Sequence, residues 1–292
     1  MSNFRCALLL VSMAGWTATA FAHPDIIAQI QQADRQLEEN PANVGVLLKR
    51  GELYRRHGEF EAAASDLVEA RDLRPSHPLL NFYEGRLALD THDFKTANQS
   101  FSQQIEIDSN QRSTWYWRGK SRLGLQRYLA AAEDFRQAIE LSPRPTPELY
   151  RSLTLAYVAA GKDQLPGATA AVAEGLNHLP REINLLGLGV DLSLSLLDSK
   201  RALAYLSRVP QKIQELPQWQ FRRAVWWCLE GQLDDAGKAF SRLLDSAEDS
   251  HSIVSRTWNP PTDSLRELST SPVPGRCSDV VWESLLRQAM NL

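Results

Sequence analysis

The chain has 292 residues, of which 43 % are apolar and 23 % charged, as is typical of a folded globular protein. Its net charge is -3, and a chain beginning at His23 would carry -4, with 31 basic against 35 acidic side chains. This balance argues against nucleic acid as the main partner, because nucleic-acid binding usually demands a basic surface. It also gives no reason to expect tight binding to anionic membranes.

Residues 1–22 have the organisation of a secretory signal peptide. Arg5 supplies the positive start, a short apolar run follows, and Ala20-Phe21-Ala22 resembles a cleavage site. The apolar run is too short to span a bilayer comfortably, and no later segment approaches that length. We therefore expect cleavage after Ala22 and export to the periplasm, or secretion, with no membrane span in the mature chain. The alternative is an uncleaved N-terminal anchor.

Residues 24–40 are predicted to form an amphipathic helix. Pro24 and Asp25 suit the first helical turn. The apolar residues that follow have helical spacing: Ile26, Ile27, Ile30, Ala33 and Leu37. We interpret this helix as the second half of a repeat whose first half is missing, covering the open end of the array that follows.

Residues 44–143 contain three repeats with a period of 34 residues. Each repeat predicts a helix, a short turn and a second helix. Glycine, alanine and two bulky columns keep the same step: Gly51, Gly85 and Gly119; Ala63, Ala97 and Ala131; Phe60, Phe94 and Tyr128; Leu67, Phe101 and Phe135. Because glycine inside a helix costs about 0.5–1 kcal/mol relative to alanine, we expect each of these glycines to admit a neighbouring helix closely.

These columns resemble the tetratricopeptide repeat family, which pairs Trp, Leu-Gly and Tyr on its first helix with Ala, Phe and Pro on its second. One departure is the residue before each glycine, where Arg50, Glu84 and Arg118 replace the frequent Leu; we predict that they lie on a semi-exposed edge. The resemblance implies an all-α fold, a right-handed α-solenoid of helical hairpins. It also implies a protein without catalysis or cofactor, which holds other proteins or peptides on its concave face.

Beyond Pro143 the period loosens, but helical hairpins continue to residue 246. We predict about six helix pairs after the half repeat, over residues 23–246. Residues 183–207 are ambiguous, because leucines alternate with polar residues at 192–196 as in a strand, whereas the context favours helix. Asp198 is predicted to cap the next helix.

Residues 247–292 break the pattern. The Ser-, Pro- and Asp-rich segment 247–277 predicts mostly irregular chain, and Ser278 is predicted to begin a final amphipathic helix that caps the exposed end of the last repeat. Cys228 and Cys277 are a disulfide candidate that would pin this tail, since export permits the bond. The alternative is two unrelated buried thiols.

The family resemblance places the concave-face residues on the first helix of each repeat, around the glycine. Six of them are candidate partner contacts: Arg55, Phe82, Arg86, Tyr116, Lys120 and Arg151. Alternating aromatic and cationic side chains suit an extended peptide with acidic and apolar residues. The alternative is that these side chains only pack and form ion pairs between repeats.

We find no phosphate-binding glycine loop, zinc-spaced cysteine pair or catalytic signature in the sequence. The sequence therefore predicts a non-catalytic interaction scaffold or assembly factor in the cell envelope, without metal or cofactor. Self-association through the solenoid ends is one alternative. A metal-binding or enzymatic accessory module that uses His23 or the tail is another, of a different class.

Overall fold

The computed structural model describes residues 24–248 and 262–290, so the predicted signal peptide and His23 lie outside the described residues. Within these ranges the regular structure is helical, with one short 3-10 helix at Lys162–Gln164. The α-helices are α1 Pro24–Glu39, α2 Val44–His57, α3 Phe60–Leu73, α4 Leu80–Asp90, α5 Phe94–Ile107, α6 Arg112–Gly124, α7 Tyr128–Glu140, α8 Pro147–Ala159, α9 Leu165–His178, α10 Ile183–Ser195, α11 Ser199–Leu206, α12 Gln211–Gln214, α13 Pro217–Leu229, α14 Leu233–Glu248, α15 Thr262–Thr270 and α16 Pro274–Met290. The predicted all-α architecture of consecutive helical hairpins is confirmed.

The described residues divide into two compact units, one up to residue 80 and the other from residue 81 onward. In the first unit, α1 packs on α2 and α2 packs on α3. In the second, hairpins form from α4 and α5, α6 and α7, α8 and α9, α10 and α11, and α13 and α14. The second helix of one hairpin also packs on the first helix of the next, as α5 does on α6 and α7 on α8. Each hairpin of the second unit thus buries surface against its neighbour, as in a repeat array.

The turn inside most hairpins repeats one backbone closure. A residue with left-handed φ ends the first helix, and the next amide donates to the carbonyl five residues earlier, as in Glu59 to Tyr54 at 2.9 Å. Asp93 to Ala88 and Arg127 to Arg122 repeat it at 2.8 Å. The left-handed residues are Gly58, His92, Gln126, Leu197 and Gly231. This Schellman-type ending gives successive hairpins the same turn geometry at the repeat period.

The glycine column marks close helix contacts, as predicted. A Cβ atom at Gly85 would lie 2.8 Å from the Phe101 ring, and one at Gly119 would lie 2.7 Å from the Phe135 ring. Both phenylalanines are fully buried. The bulky ring of the second helix therefore occupies the space that the missing side chain leaves on the first.

We predict opposite stability effects for alanine at two helical glycines. Gly119→Ala should lower the free energy of unfolding by about 1–3 kcal/mol, because its Cβ must displace the buried Phe135 ring. Gly45→Ala should raise it by about 0.5–1 kcal/mol, because Gly45 is exposed and a Cβ there meets only Asn43 Oδ1 at 3.5 Å. Urea unfolding followed by circular dichroism measures both changes. Stabilisation by Gly119→Ala would contradict the close-contact role.

The arginines that precede two of these glycines form ion pairs with the second helix of their own hairpin. Arg50 Nη2 lies 2.7 Å from Asp66 Oδ1, and Arg118 Nη2 lies 2.7 Å from Asp134 Oδ1. Arg50 also binds Asp34 of α1 at 2.8 Å and so ties the N-terminal helix to the first full repeat. Both arginines are partly exposed, as predicted, and each guanidinium also pairs with a buried carboxylate of the second helix.

Helix α10 resolves the ambiguous segment in favour of helix. Its residues 185–194 are all buried, because α8, α9, α11, α13 and α16 pack around it. A helix covered on all sides has no need of a polar face, so alternating leucines are compatible with it. The predicted cap of α11 is confirmed: Asp198 Oδ1 accepts from the Arg201 amide at 3.0 Å.

The tail differs from its sequence prediction. Residues 262–270 form α15, which packs on α14, and the final helix begins at Pro274 rather than Ser278. The irregular-chain prediction fails over 262–270 because two leucines at i, i+3 spacing, Leu265 and Leu268, are fully buried despite the polar composition around them. The final helix α16 packs on α8, α10 and α13, whereas α15 covers the second helix of the last hairpin.

Cys228 of α13 and Cys277 of α16 form a disulfide in the structure. Their Cα atoms are 6.9 Å apart, within the range that a disulfide can bridge, and both residues are fully buried. The bond therefore joins the final helix to the first helix of the last hairpin.

Candidate partner-binding face

The candidate contacts fall on both units. Phe82 and Arg86 lie on α4, Tyr116 and Lys120 on α6, and Arg151 on α8. These five belong to the second unit, on the surface formed by the first helices of its hairpins (α4, α6, α8, α10 and α13), which we call the first-helix face. The sixth, Arg55, belongs to the first unit.

Arg55 is a poor candidate for partner contact. Only 9 % of the residue is exposed, and its Nε lies 2.7 Å from Glu52 Oε2 on the same helix. A guanidinium that is buried and paired in this way offers little surface to a second protein. We therefore assign Arg55 to the packing of the first unit.

Arg86 and Tyr116 meet at a tryptophan that the sequence prediction missed. The Arg86 guanidinium carbon lies 3.8 Å from the centre of a Trp117 ring, a cation–π contact, and the Trp117 and Tyr116 rings are edge to face at 4.9 Å. Phe82 packs edge to face on the buried Phe101 at 6.1 Å, so part of its ring serves the core. The α4 and α6 helices thus bring one cation and two half-buried aromatic rings together.

Lys120 and Arg151 share their surroundings with a carboxylate, Glu148. The Arg151 guanidinium lies 3.3 Å from Glu148 Oε1. Burial lowers the pKa of Lys120, and Glu148 opposes this shift. Burial also raises the pKa of the Tyr116 phenol, with Glu148 adding to the shift and a hydrogen bond with Ser152 opposing it. The face therefore has mixed charge, with half-buried ionisable groups close to aromatic rings.

A cavity of about 570 Å³ opens beside this cluster. Its walls come from α4 and α6, from the turns that follow them and from the first residues of α5 and α7. Trp117 and Lys120 both line it, so the predicted lysine and the missed tryptophan share one depression. Ala289 of α16 completes the lining.

The final helix occupies the rest of the first-helix face. It packs along α8, α10 and α13, the first helices of the last three hairpins. A smaller cavity of about 230 Å³ remains beside it, lined in part by Arg151, Trp219 and Arg222. Arg222 binds Asp191 of α10 at 2.6 Å, so this region is held by an internal ion pair. The open part of the face in the second unit is thus the part formed by α4 and α6.

The described residues contain neither a metal-ligand cluster nor a helix suited to span a membrane. Among the described residues, no group of three or more His, Cys, Asp or Glu side chains is placed to hold a metal ion. Within the same ranges, no helix has the length and apolar character needed to cross a membrane.

Comparison with protein families identifies one matching model, described as a tetratricopeptide repeat, over residues 113–145. Tetratricopeptide repeat protein 13 of Homo sapiens is 27 % identical over 126 residues, which are 43 % of this chain and 14 % of the human protein. The chain thus matches only about one seventh of the length of that relative. The matched model covers the third repeat, in which the columns are in phase.

Two solved structures have a similar fold. YrrB, described as a tetratricopeptide repeat protein with an unusual peptide-binding site, is 17 % identical, with a TM-score of 0.51 over 61 % of this chain and 91 % of its own. PilW, described as a widely conserved type IV pilus biogenesis factor, is 15 % identical, with a TM-score of 0.55 over 73 % of this chain and 97 % of its own. At these identities the likeness establishes the fold alone.

Proposed function

The chain is a tetratricopeptide repeat protein, and on that premise we propose that it is a non-catalytic scaffold or assembly factor of the cell envelope, binding another protein through an extended peptide segment. One observation carries the proposal: Arg86, Tyr116, Trp117 and Lys120 lie together on the open part of the first-helix face. Tyr, Trp and Arg side chains, three of the four in this cluster, are the residue types that contribute most of the binding energy at protein interfaces.

The chemistry of this cluster favours a partner segment with both acidic and apolar residues. Lys120 and Arg86 provide charge that a carboxylate can approach, and the Tyr116 and Trp117 rings provide apolar area that loses little side-chain entropy on binding. Glu148 of α8 provides a carboxylate beside this cluster, which can accept a cation of the partner. The proposal gains support from the fold shared with YrrB, whose description includes a peptide-binding site.

The envelope location rests on the signal-peptide pattern of residues 1–22. A disulfide between Cys228 and Cys277 is consistent with it, since such bonds persist in oxidising compartments. The fold shared with PilW, described as a pilus biogenesis factor, also supports a role in envelope assembly.

We predict that the double variant Arg86→Ala, Tyr116→Ala loses partner capture. The chain from residue 23 onward is immobilised, incubated with native envelope extract, and the retained proteins are quantified by mass spectrometry. The variant should retain the wild-type partner at least about tenfold less well, which corresponds to about 1.4 kcal/mol of binding free energy. Its far-ultraviolet circular dichroism should match the wild type.

The matched control also removes one cation and one apolar side chain. Lys95→Ala with Leu129→Ala removes exposed groups of the second helices α5 and α7, away from the first-helix face. This control should capture the partner as the wild type does. Equal capture by both double variants would rule out the first-helix face as the binding surface.

A further inference from the structure

The final helix covers the first-helix face over the last three hairpins and is covalently attached there. Cys277, Val281 and Leu285 lie on one side of α16 and are at most 1 % exposed. This side packs on α8, α10 and α13, and the disulfide to Cys228 fixes it covalently. A partner segment therefore cannot lie on this half of the face while α16 is in place.

The end of α16 marks the boundary between the filled and the open halves. Ala289 is 4 % exposed and lines the 570 Å³ cavity that α4 and α6 form with their turns. Its volume lies within the range of about 300–1,000 Å³ that is usual for pockets that bind small molecules, so it has room for a large side chain. The cavity thus lies where a peptide on α4 and α6 would meet the end of the final helix.

The lining of the cavity is mainly apolar, with one lysine and one carboxylate among its residues. Its apolar walls are Leu89, Phe94, Trp117, Leu123 and Tyr128. The lysine of the lining is Lys120 of α6. Its carboxylate is Asp90 of α4, and His92 lies in the turn that follows α4. Because Lys120 is partly desolvated, its attraction for a carboxylate is less screened than it would be in bulk water. The apolar walls match a large apolar side chain, and Lys120 matches an acidic residue next to it.

We propose that this cavity is the anchor site of the partner, where one Leu-, Phe- or Trp-sized side chain inserts next to an Asp or Glu that pairs with Lys120. The final helix closes the site on the α8 side and so sets where the bound segment ends. This inference rests on the proposed function of the first-helix face and specifies the residue types that it recognises.

A random peptide library displayed on phage provides the probe. Peptides selected on the oxidised chain from residue 23 onward should carry an aromatic residue or leucine beside Asp or Glu. One selected peptide is then synthesised with a fluorophore, and its affinity is measured by fluorescence polarisation. Trp117→Ala and Lys120→Glu should each weaken binding by about tenfold or more, as loss of an anchor contact does.

The chain offers matched controls for both variants. Trp115 is also a half-buried indole of α6 with an arginine over its ring, Arg118 at 4.7 Å, but it does not line the cavity. Lys95 is an exposed lysine of α5 outside the lining. Trp115→Ala and Lys95→Glu should leave peptide affinity within about twofold of the wild type, the size of a minor surface effect.

A charge exchange separates recognition from misfolding. The Lys120→Glu chain should bind a peptide in which the acidic neighbour is replaced by Lys better than it binds the original peptide. Peptide binding that is lost in the Arg86→Ala, Tyr116→Ala chain but unchanged in the Trp117 and Lys120 variants would overturn the anchor site and leave the proposed function standing. No enrichment of peptides, or binding indifferent to all four positions, would overturn both.

Discussion

Asp134→Ala is expected to lower the free energy of unfolding by about 3–5 kcal/mol, the usual cost of removing one partner from a buried ion pair. The Asp134 side chain is 1 % exposed and lies 2.7 Å from Arg118 and 2.9 Å from Arg122. Its removal leaves two half-buried guanidinium groups without their shared carboxylate. The free energy of unfolding then falls mainly because the charges of Arg118 and Arg122 are left uncompensated, and less because their attraction to Asp134 is lost.

Equilibrium unfolding in urea measures this loss, with Glu133→Ala as the matched control. Glu133 is the adjacent carboxylate but is exposed, so its removal should change the free energy of unfolding by no more than about 0.5 kcal/mol. A second test replaces the carboxylate and both of its arginines: Asp134→Leu with Arg118→Met and Arg122→Met should recover much of the stability lost by Asp134→Ala. An Asp134→Ala chain as stable as Glu133→Ala would show that the pair contributes nothing.

The packing columns could be predicted from the sequence, whereas the Arg–Asp ion pairs could not be predicted as easily. The glycine and bulky columns were predictable because close packing demands a side chain of similar size at each step of 34 residues. The Arg–Asp pair has the same 16-residue spacing at Arg50 and Arg118, but the middle repeat carries Glu84 and Ser100 instead. A pair that skips one repeat does not form a column, although its recurrence after two steps was visible.

The surface on which α16 packs could not be predicted from the spacing of its apolar residues. Its apolar spacing predicts an amphipathic helix, but not the surface against which that helix packs. That surface is formed by three helices, α8, α10 and α13, that are distant in sequence. The burial of α10 residues 185–194 likewise depends on five helices, α8, α9, α11, α13 and α16, which is why this stretch has no solvent-facing polar side.

The sequence indicated the helices that carry the candidate residues, but it did not indicate Trp117, which lies among those residues. The family resemblance selected residues of α4, α6 and α8, and the structure places these helices on the first-helix face of the second unit. It selected Tyr116 and overlooked Trp117, since adjacent positions on a helix point in directions that differ by about 100° and both can reach a groove. The contribution of Glu148 depends on the placement of α8 beside α6, which the sequence pattern leaves open.

Removing the disulfide with Cys228→Ala and Cys277→Ala is expected to lower the free energy of unfolding by about 4 kcal/mol. The estimate follows the chain-entropy model for a bond between residues 49 apart, because the cross-link restricts the unfolded chain. In addition, α16 is then held only by its apolar contacts. Hydrogen exchange of the α16 amides should therefore accelerate more than exchange in α6, which has no contact with the bond.

The state of the bond is measured before stability is compared. The oxidised chain from residue 23 onward contains two cysteines, and it should show no reactive thiol after denaturation without reductant. Because both residues are fully buried, reductant should act on the wild type only after unfolding, and it should leave the double alanine variant unchanged. Two reactive thiols in the denatured oxidised chain would contradict the bond. Equal exchange of α16 in both chains would instead show that apolar packing alone holds the final helix on the first-helix face.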